Sequence, residues 1–400
     1  MKKEDTFLIQ ILKAFVNEQK LPDLPEISLE SLAKCASKHN VSGIVYYMLS
    51  TFLNQTSDSA ISRFLREQYI STIYSSVFKE NEVKLFTEKM EEAHISYAFF
   101  KGVEIQKIYP IPELRTMGDA DVLVAEDDIQ NAADILMSLD YEKSGGGSNV
   151  WSFHKGIMSF EVHRKLVAAN CWNQIDYESY FEGIFEKLIP SNEGSRKYFS
   201  TEDQFIFLCF HIAKHLHSNG AGIRMFMDIA IYLRNYQTEM NWDYIWTECG
   251  KIQMTSFLKT LLFISREWFG VELLMDCDIG TADETTMRQL QKYIMSGGIF
   301  GFERDESIRR LRQGINNKKN NSSLFIKSRA LWKIAFPDRK HMAYFIPAVL
   351  KHPILLPFAW CKRWKMGFEN QWKMRAAVHG FSENVEEAKA EYLMLKRIGL

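Results

Sequence analysis

The sequence predicts an α+β protein, a small mixed-sheet core flanked by N-terminal and C-terminal helical domains. Three observations predict it. Apolar residues recur at helical spacing up to about residue 90. β-Branched and aromatic runs bounded by glycine replace that pattern between about residues 94 and 170. Helical periodicity returns from Thr201. With 46% hydrophobic and 25% charged side chains over 400 residues, the chain can bury a sizeable core, and general disorder is excluded.

The elements follow in order. Leu8, Ile11, Leu12 and Phe15 share one helical face, and Gln10 and Lys13 interrupt the apolar run, so the N-terminus reads as an amphipathic helix rather than a leader. Ser28 is placed to cap LESLAKCASKH, with Ser31 also available, and Ile61, Phe64, Leu65 and Tyr69 mark a further helix. ISYAFFKG is a strand running into a glycine turn, and DADVLVA is a second short strand. IQNAADILMSLDY follows as a helix with Ile129, Ala132, Ala133 and Leu136 on one face. SGGGSN, residues 144–149, reads as a glycine-rich hairpin rim. It lacks the Lys-Ser/Thr and the following helix of a phosphate loop. VWSFHKGIMSFEVHRKL is a hairpin turning near Lys155-Gly156.

TEDQFIFLCFHIAKHL then opens a helical region, with further helices over 222–236, 242–270 and 284–296. NNKKNNSS, residues 316–323, has no periodicity and reads as a linker, and prolines at 337, 347, 353 and 357 precede a helix rich in Trp and Lys. The expected domains are a helical 1–92, an α/β core 93–198, a helical 199–315 and a basic, Trp-rich extension 316–400.

Net charge is −1, which argues against long nucleic acid as the default partner. That average hides an asymmetry: residues 301–375 carry 17 Lys and Arg against 5 Asp and Glu. Trp332, Trp360, Trp364 and Trp372 lie among these cations. They suit peripheral contact with a membrane surface, stacking on a polyanion, or packing against the body of the protein. No run of about 18 uncharged apolar residues predicts a membrane span. The six cysteines are scattered without metal-site spacing, which predicts reduced thiols and a cytoplasmic location.

The chemistry-bearing pattern is acidic. Residues two apart in a strand share a face, so Asp119 and Asp121 project together while Ala120 and Val122 face the other way. Glu161, between Phe160 and Val162, is the corresponding acid of a neighbouring strand. Three converging carboxylates repel one another, and a hard divalent cation, Mg2+ or Mn2+, resolves the repulsion.

FFKGVEIQKIYPIPELRTMGDADVLV followed by SFEVHRKL resembles the bacterial uncharacterised nucleotidyltransferase family, within the DNA polymerase β-like superfamily. HIAKHLHSNGAGIRMFMDIAIYL extends the resemblance, which covers roughly residues 95–235. It implies a nucleotidyltransferase core in which Asp119, Asp121 and Glu161 hold two metal ions and Glu161 activates the attacking hydroxyl. Gly102 would admit the nucleotide phosphates to the backbone. One departure stands out. The wider superfamily has Ser after this glycine, whereas here Lys101 precedes it and Val103 follows. Lys101 suits either a phosphate contact or a solvated turn, and Arg115 either a phosphate clamp or a pair with Glu113 or another carboxylate.

Four further positions are candidate cleft residues along with His163, which shares the Glu161 face and can hold that carboxylate. His211 and His215 have the helical spacing of a zinc pair, but Ile212 stands where a zinc protease needs Glu, so they line the cleft or sit satisfied in the core. Arg224 and Asp228, four apart, can pair with each other and either touch nucleotide or brace the helices. The expected activity is transfer of an NMP from an NTP to an unknown hydroxyl on a small molecule, sugar or protein, with Mg2+ or Mn2+ and release of pyrophosphate. Two rival expectations stand beside it: a catalytically silent nucleotide-sensing or protein-interaction module, and a peripheral membrane component of a surface-polysaccharide or peptide-modification pathway.

Overall fold

The computed structural model describes residues 2–21, 25–55, 59–147, 149–167, 175–218, 220–275, 279, 283–299, 305–315, 322–342, 346–369, 380–381 and 383–400. The chain forms two compact units. The first comprises Met1–Lys214 and Ala221–Ala282, the second His215–Gly220 and Asp283–Leu400.

The first unit opens with four helices, α1 (Lys3–Val16), α2 (Leu29–Lys38), α3 (Ser42–Gln55) and α4 (Ala60–Glu92). Ser28 caps α2 as its position predicts, its hydroxyl accepting the Ser31 N–H at 3.2 Å. Ser59 does the same for α4 through the Ser62 N–H. The second half of α4 lies on the sheet, burying Phe86 and Met90 there. The same buried stripe also carries three polar residues, Ser76, Lys79 and Glu82.

Five strands follow: β1 (Tyr97–Phe100), β2 (Ala120–Val124), β3 (Glu142–Gly146), β4 (Val150–Lys155) and β5 (Met158–His163). The short helix α5 (Gly102–Gln106) separates β1 from β2, and α6 (Ile129–Ser138) separates β2 from β3. The sheet order is β1-β2-β5-β4-β3. β2 and β5 are parallel and the other pairs antiparallel, so the sheet is mixed and the fold α+β. Alternation sorts its faces. Phe99, Ala120, Val122, Phe160, Val162 and Phe153 pack against α4 and α6, while Asp121 and Glu161 project from the opposite face.

Two sequence expectations change here. Ser144–Gly146 belong to β3 rather than to a turn: at this sheet edge Gly145 and Gly146 pair with Ser152 and Trp151 of β4, main-chain bonding that needs no side chain. Asp119 lies just before β2, which starts at Ala120.

Beyond the sheet come the short helices α7 (Tyr177–Tyr180) and α8 (Ile184–Lys187) and a two-stranded ribbon, β6 (Ile189–Pro190) with β7 (Lys197–Tyr198). Then follow α9 (Thr201–His217), α10 (Ile223–Tyr236), α11 (Trp242–Lys251) and α12 (Thr255–Phe269). The expected single helix over 242–270 is thus two, broken where Gln253 takes the left-handed φ of 55°. The periodicity of its two halves hides the interruption.

The second unit contains α13 (Glu284–Gly297), α14 (Glu306–Gly314), α15 (Ser323–Ala335), α16 (Arg339–Met342), α17 (Leu356–Glu369) and α18 (Val385–Arg397). Arg312 is its polar centre. The guanidinium pairs with Glu391 at 3.3 Å and donates to the carbonyls of Leu216, His217 and Ser218, at the C-terminal end of α9. The expected linker starts outside the described residues, and its last residue, Ser323, already belongs to α15. Trp372, Cys171 and Cys277 also lie outside them. No described helix is long and apolar enough to cross a membrane.

Candidate active site

The parallel register of β2 and β5 sets Asp121 beside Glu161, and it sets Leu123 beside His163. Neighbouring residues on paired strands point to the same face, so two carboxylates emerge side by side. The His163 Nε2 lies 3.0 Å from Asp121 Oδ1 and 3.4 Å from Glu161 Oε2. Ligand atoms of Asp121, Glu161 and His163 all fall within 4.8 Å of one another.

The opposing cation comes from the end of β1. Phe100 pairs with Asp121 across the β1–β2 ladder, and the next residue, Lys101, adopts φ 55°, ψ −120°. A side chain in that region costs on the order of 1–3 kcal/mol. The conformation carries Lys101 Nζ back over the sheet to 2.6 Å from Asp121 Oδ1. Lys101 is therefore a half-buried ion-pair partner of the buried Asp121 and not a solvated turn residue. Phe100, stacked edge-on against His163 and Phe207, walls this pair from one side.

The electrostatics record the crowding. Burial, then the charges of Asp121 and Glu161, push the Asp119 carboxyl up to about 6, with Lys101 pulling the other way. Burial would also raise Asp121, but the Lys101 charge and the His163 hydrogen bond outweigh it and hold Asp121 low. For Lys101 and His163, burial opposes the charged form. The surrounding carboxylates outweigh it and raise both.

The approach to Asp119 is held from two directions. A Cβ on Gly102 would come within 3.1–3.3 Å of Met117 Cγ, Met117 Sδ and Arg115 Nη1, so any larger residue would have to push these side chains aside. Arg115 donates to the Gly102 carbonyl at 3.1 Å and to both Asp228 oxygens at 2.9 and 3.0 Å, and Tyr109 donates to the same carboxylate. All three Arg115 nitrogens are thus engaged. The expected Arg224–Asp228 pair does not form. Asp228 takes Arg115 from 113 positions upstream, while Arg224 donates to the carbonyl and hydroxyl of Thr116.

Sequence reasoning passed over Lys79. From the buried side of α4 its ammonium donates to the carbonyls of Met117 at 2.6 Å and Gly118 at 2.8 Å, immediately before Asp119. A signal was present. Lys79 is seven residues before Phe86 and so shares its core-facing stripe, where a lysine needs a partner. Of the two α9 histidines, His211 stacks on Phe207, which itself abuts Phe100. His215 lies one turn further along, in the stretch that groups with the second unit.

A family model described as an uncharacterised nucleotidyltransferase matches residues 25–270. The chain belongs to that family. The match takes in α2 through α12, including every acidic and basic residue of the site described above. No curated protein and no solved structure matches.

Proposed function

We propose that this nucleotidyltransferase family member moves an NMP from an NTP to a hydroxyl acceptor with release of pyrophosphate. The observation that carries the proposal is the side-by-side placement of Asp121 and Glu161 on parallel strands, with Asp119 crowded by both charges. The donor set is hard oxygen and carries more negative charge than Lys101 and His163 cancel. It suits Mg2+ or Mn2+, held by Asp119, Asp121 and Glu161. Such a cation, when bound, neutralises triphosphate charge and favours the deprotonated form of an attacking hydroxyl.

The chain's own groups do the remainder. Glu161, half-exposed beside the buried Asp121, takes the proton of the acceptor hydroxyl. That oxygen attacks the α-phosphorus, the bond to the β-phosphate oxygen breaks, and pyrophosphate leaves with the electron pair. Lys101 and Gly102 form the turn that receives the phosphates. Arg115 acts through Gly102 and Asp228, holding that turn rather than reaching a phosphate. His163 fixes the two carboxylates, while Arg224 and Lys79 hold the 116–118 strand approach. His211, stacked on the buried Phe207, borders the site from the α9 side. The acceptor is a small molecule, a sugar or a protein. The free thiols of Cys35, Cys209, Cys249 and Cys361 favour a cytoplasmic location.

A second reading, nucleotide sensing without turnover, draws on Lys101 and His163 already occupying Asp121. Calorimetry with each of the four NTPs plus Mg2+, followed by a pyrophosphate-release assay over candidate acceptors, separates the two. The comparison variant is Asp119→Asn/Glu161→Gln, which leaves the Lys101–Asp121 pair in place. Metal-dependent binding and pyrophosphate release, both lost in the variant, are expected. Binding without release, unaltered by the variant, overturns catalysis and leaves sensing.

A further inference from the structure

The second unit carries an apolar surface that the transferase site does not use. On α15 the inner face buries Ile326 and Ala330. The outer face is also apolar: Leu324 is 75% exposed, Phe325 52%, Leu331 46% and Trp332 63%. These four lie at i, i+1, i+7 and i+8, two parallel rows running the length of the helix. A soluble surface helix normally presents polar residues there, and this one presents large hydrophobes on both sides.

The pattern continues on the adjoining helix. Trp360 and Trp364 of α17 face inward, donating their indole N–H groups to the carbonyls of Pro337 and Ala335 just beyond and at the end of α15. Phe336 packs between them and Trp332. The opposite side of the α17 segment therefore points outward, and it bears Ile354, 87% exposed, Phe358, 66% exposed, and the exposed Lys362 and Lys365. Half-buried Lys327 flanks the α15 rows.

Charge identifies what such a surface meets. Between Ser322 and Phe368, the stretch that forms α15 to α17, the sequence has a single acid, Asp338, against nine Lys and Arg. A second copy of the same face would be repelled. Single-stranded nucleic acid would engage the aromatic rings, but the aliphatic Leu324, Leu331 and Ile354 offer no stacking face to a base. Aliphatic and aromatic tips among lysines match one environment, the headgroup–acyl boundary of an anionic bilayer. We propose that α15 and the Ile354–Lys365 segment dock the second unit on an anionic membrane surface, with Leu324, Phe325, Leu331, Trp332, Ile354 and Phe358 inserted and the lysines at the phosphates. Docking is interfacial, since neither helix has the length or apolarity to span.

The inference is independent of the transfer chemistry, and its test uses the full chain. Flotation with vesicles of phosphatidylcholine alone, and with about 30 mol% phosphatidylglycerol added, is compared for wild type, Leu331→Ser/Trp332→Ser and Ile354→Ser/Phe358→Ser. Trp332 also packs on Phe336, so Ile354→Ser/Phe358→Ser, at the two most outward positions of its segment, is the variant whose thermal unfolding should be unchanged, and unfolding of both variants is checked alongside. The expected result is binding to the anionic vesicles only, weakened at least about tenfold by either double substitution. Two results overturn the proposal. One is failure of the wild type to float with anionic vesicles. The other is equal flotation of both variants, which would make the attraction purely electrostatic. A single-stranded oligonucleotide that binds the wild type more tightly than the vesicles, and is lost with Trp332, would assign the face to nucleic acid instead.

Discussion

Lys79 shows how much of the site's geometry rests on residues remote from the chemistry. Its ammonium satisfies two carbonyls, those of Met117 and Gly118, at the point where the chain swings Asp119 into place. Burial lowers its pKa, with the Asp119 charge offsetting part of that. Lys79→Met keeps the volume and leaves both carbonyls without a donor. We expect a loss of about 1–3 kcal/mol in urea unfolding and a parallel loss of metal-dependent NTP binding. A variant as stable as wild type would show that these carbonyls find other partners. The acids themselves were legible in the sequence because strand periodicity places every second residue on one face, and Glu161 between Phe160 and Val162 announces its direction. Lys101, Arg115 and Asp228 were legible only as candidates. Their partners lie up to 113 positions away, and no local pattern encodes which carboxylate a distant guanidinium will meet.

At the scale of elements, the capped helices and the short strands follow from local rules, and the departures occur where a single backbone conformation intervenes. The α11–α12 junction is such a place. Gln253 is exposed and left-handed at φ 55°, a conformation that costs a residue with a Cβ about 1 kcal/mol. Gln253→Gly is expected to stabilise the chain by roughly 0.5–1 kcal/mol in urea unfolding, the relief exceeding the extra unfolded-state entropy of glycine. Unchanged or lower stability would mean the side chain contributes an interaction larger than the strain. Lys101 has a similar φ, but there the strain directs an ammonium onto Asp121. A positive φ is thus incidental in one element and tied to the site in the other.

At the scale of the whole molecule, the second unit has a pH response of its own. Burial, aided by the Arg312 charge, takes His217 down to about 3, against 6.5 for the free side chain. The unfolded chain therefore binds a proton that the folded chain refuses between these values. The His217 contribution is complete above about 6.5 and is lost as pH falls toward 3, at up to about 1.4 kcal/mol per pH unit. Urea unfolding of the full chain at several pH values should show this slope, and His217→Gln should flatten it. An identical slope in the variant would assign the acid sensitivity to other groups.

The sequence by itself determined the class of the fold, which stretches of the chain are helical and which carry the sheet, the acidic face of that sheet and the family resemblance. Each of these is written in residues near one another in the chain, through periods of 2 and 3.6 and through capping and turn residues. The tertiary structure decided the order β1-β2-β5-β4-β3 that sets Asp121 beside Glu161. It also decided the Lys101 ion pair, the Arg115–Asp228 brace and the outward face of α15. Those depend on which surfaces meet once apolar burial has folded the chain, a competition among all elements at once that local periodicity leaves open.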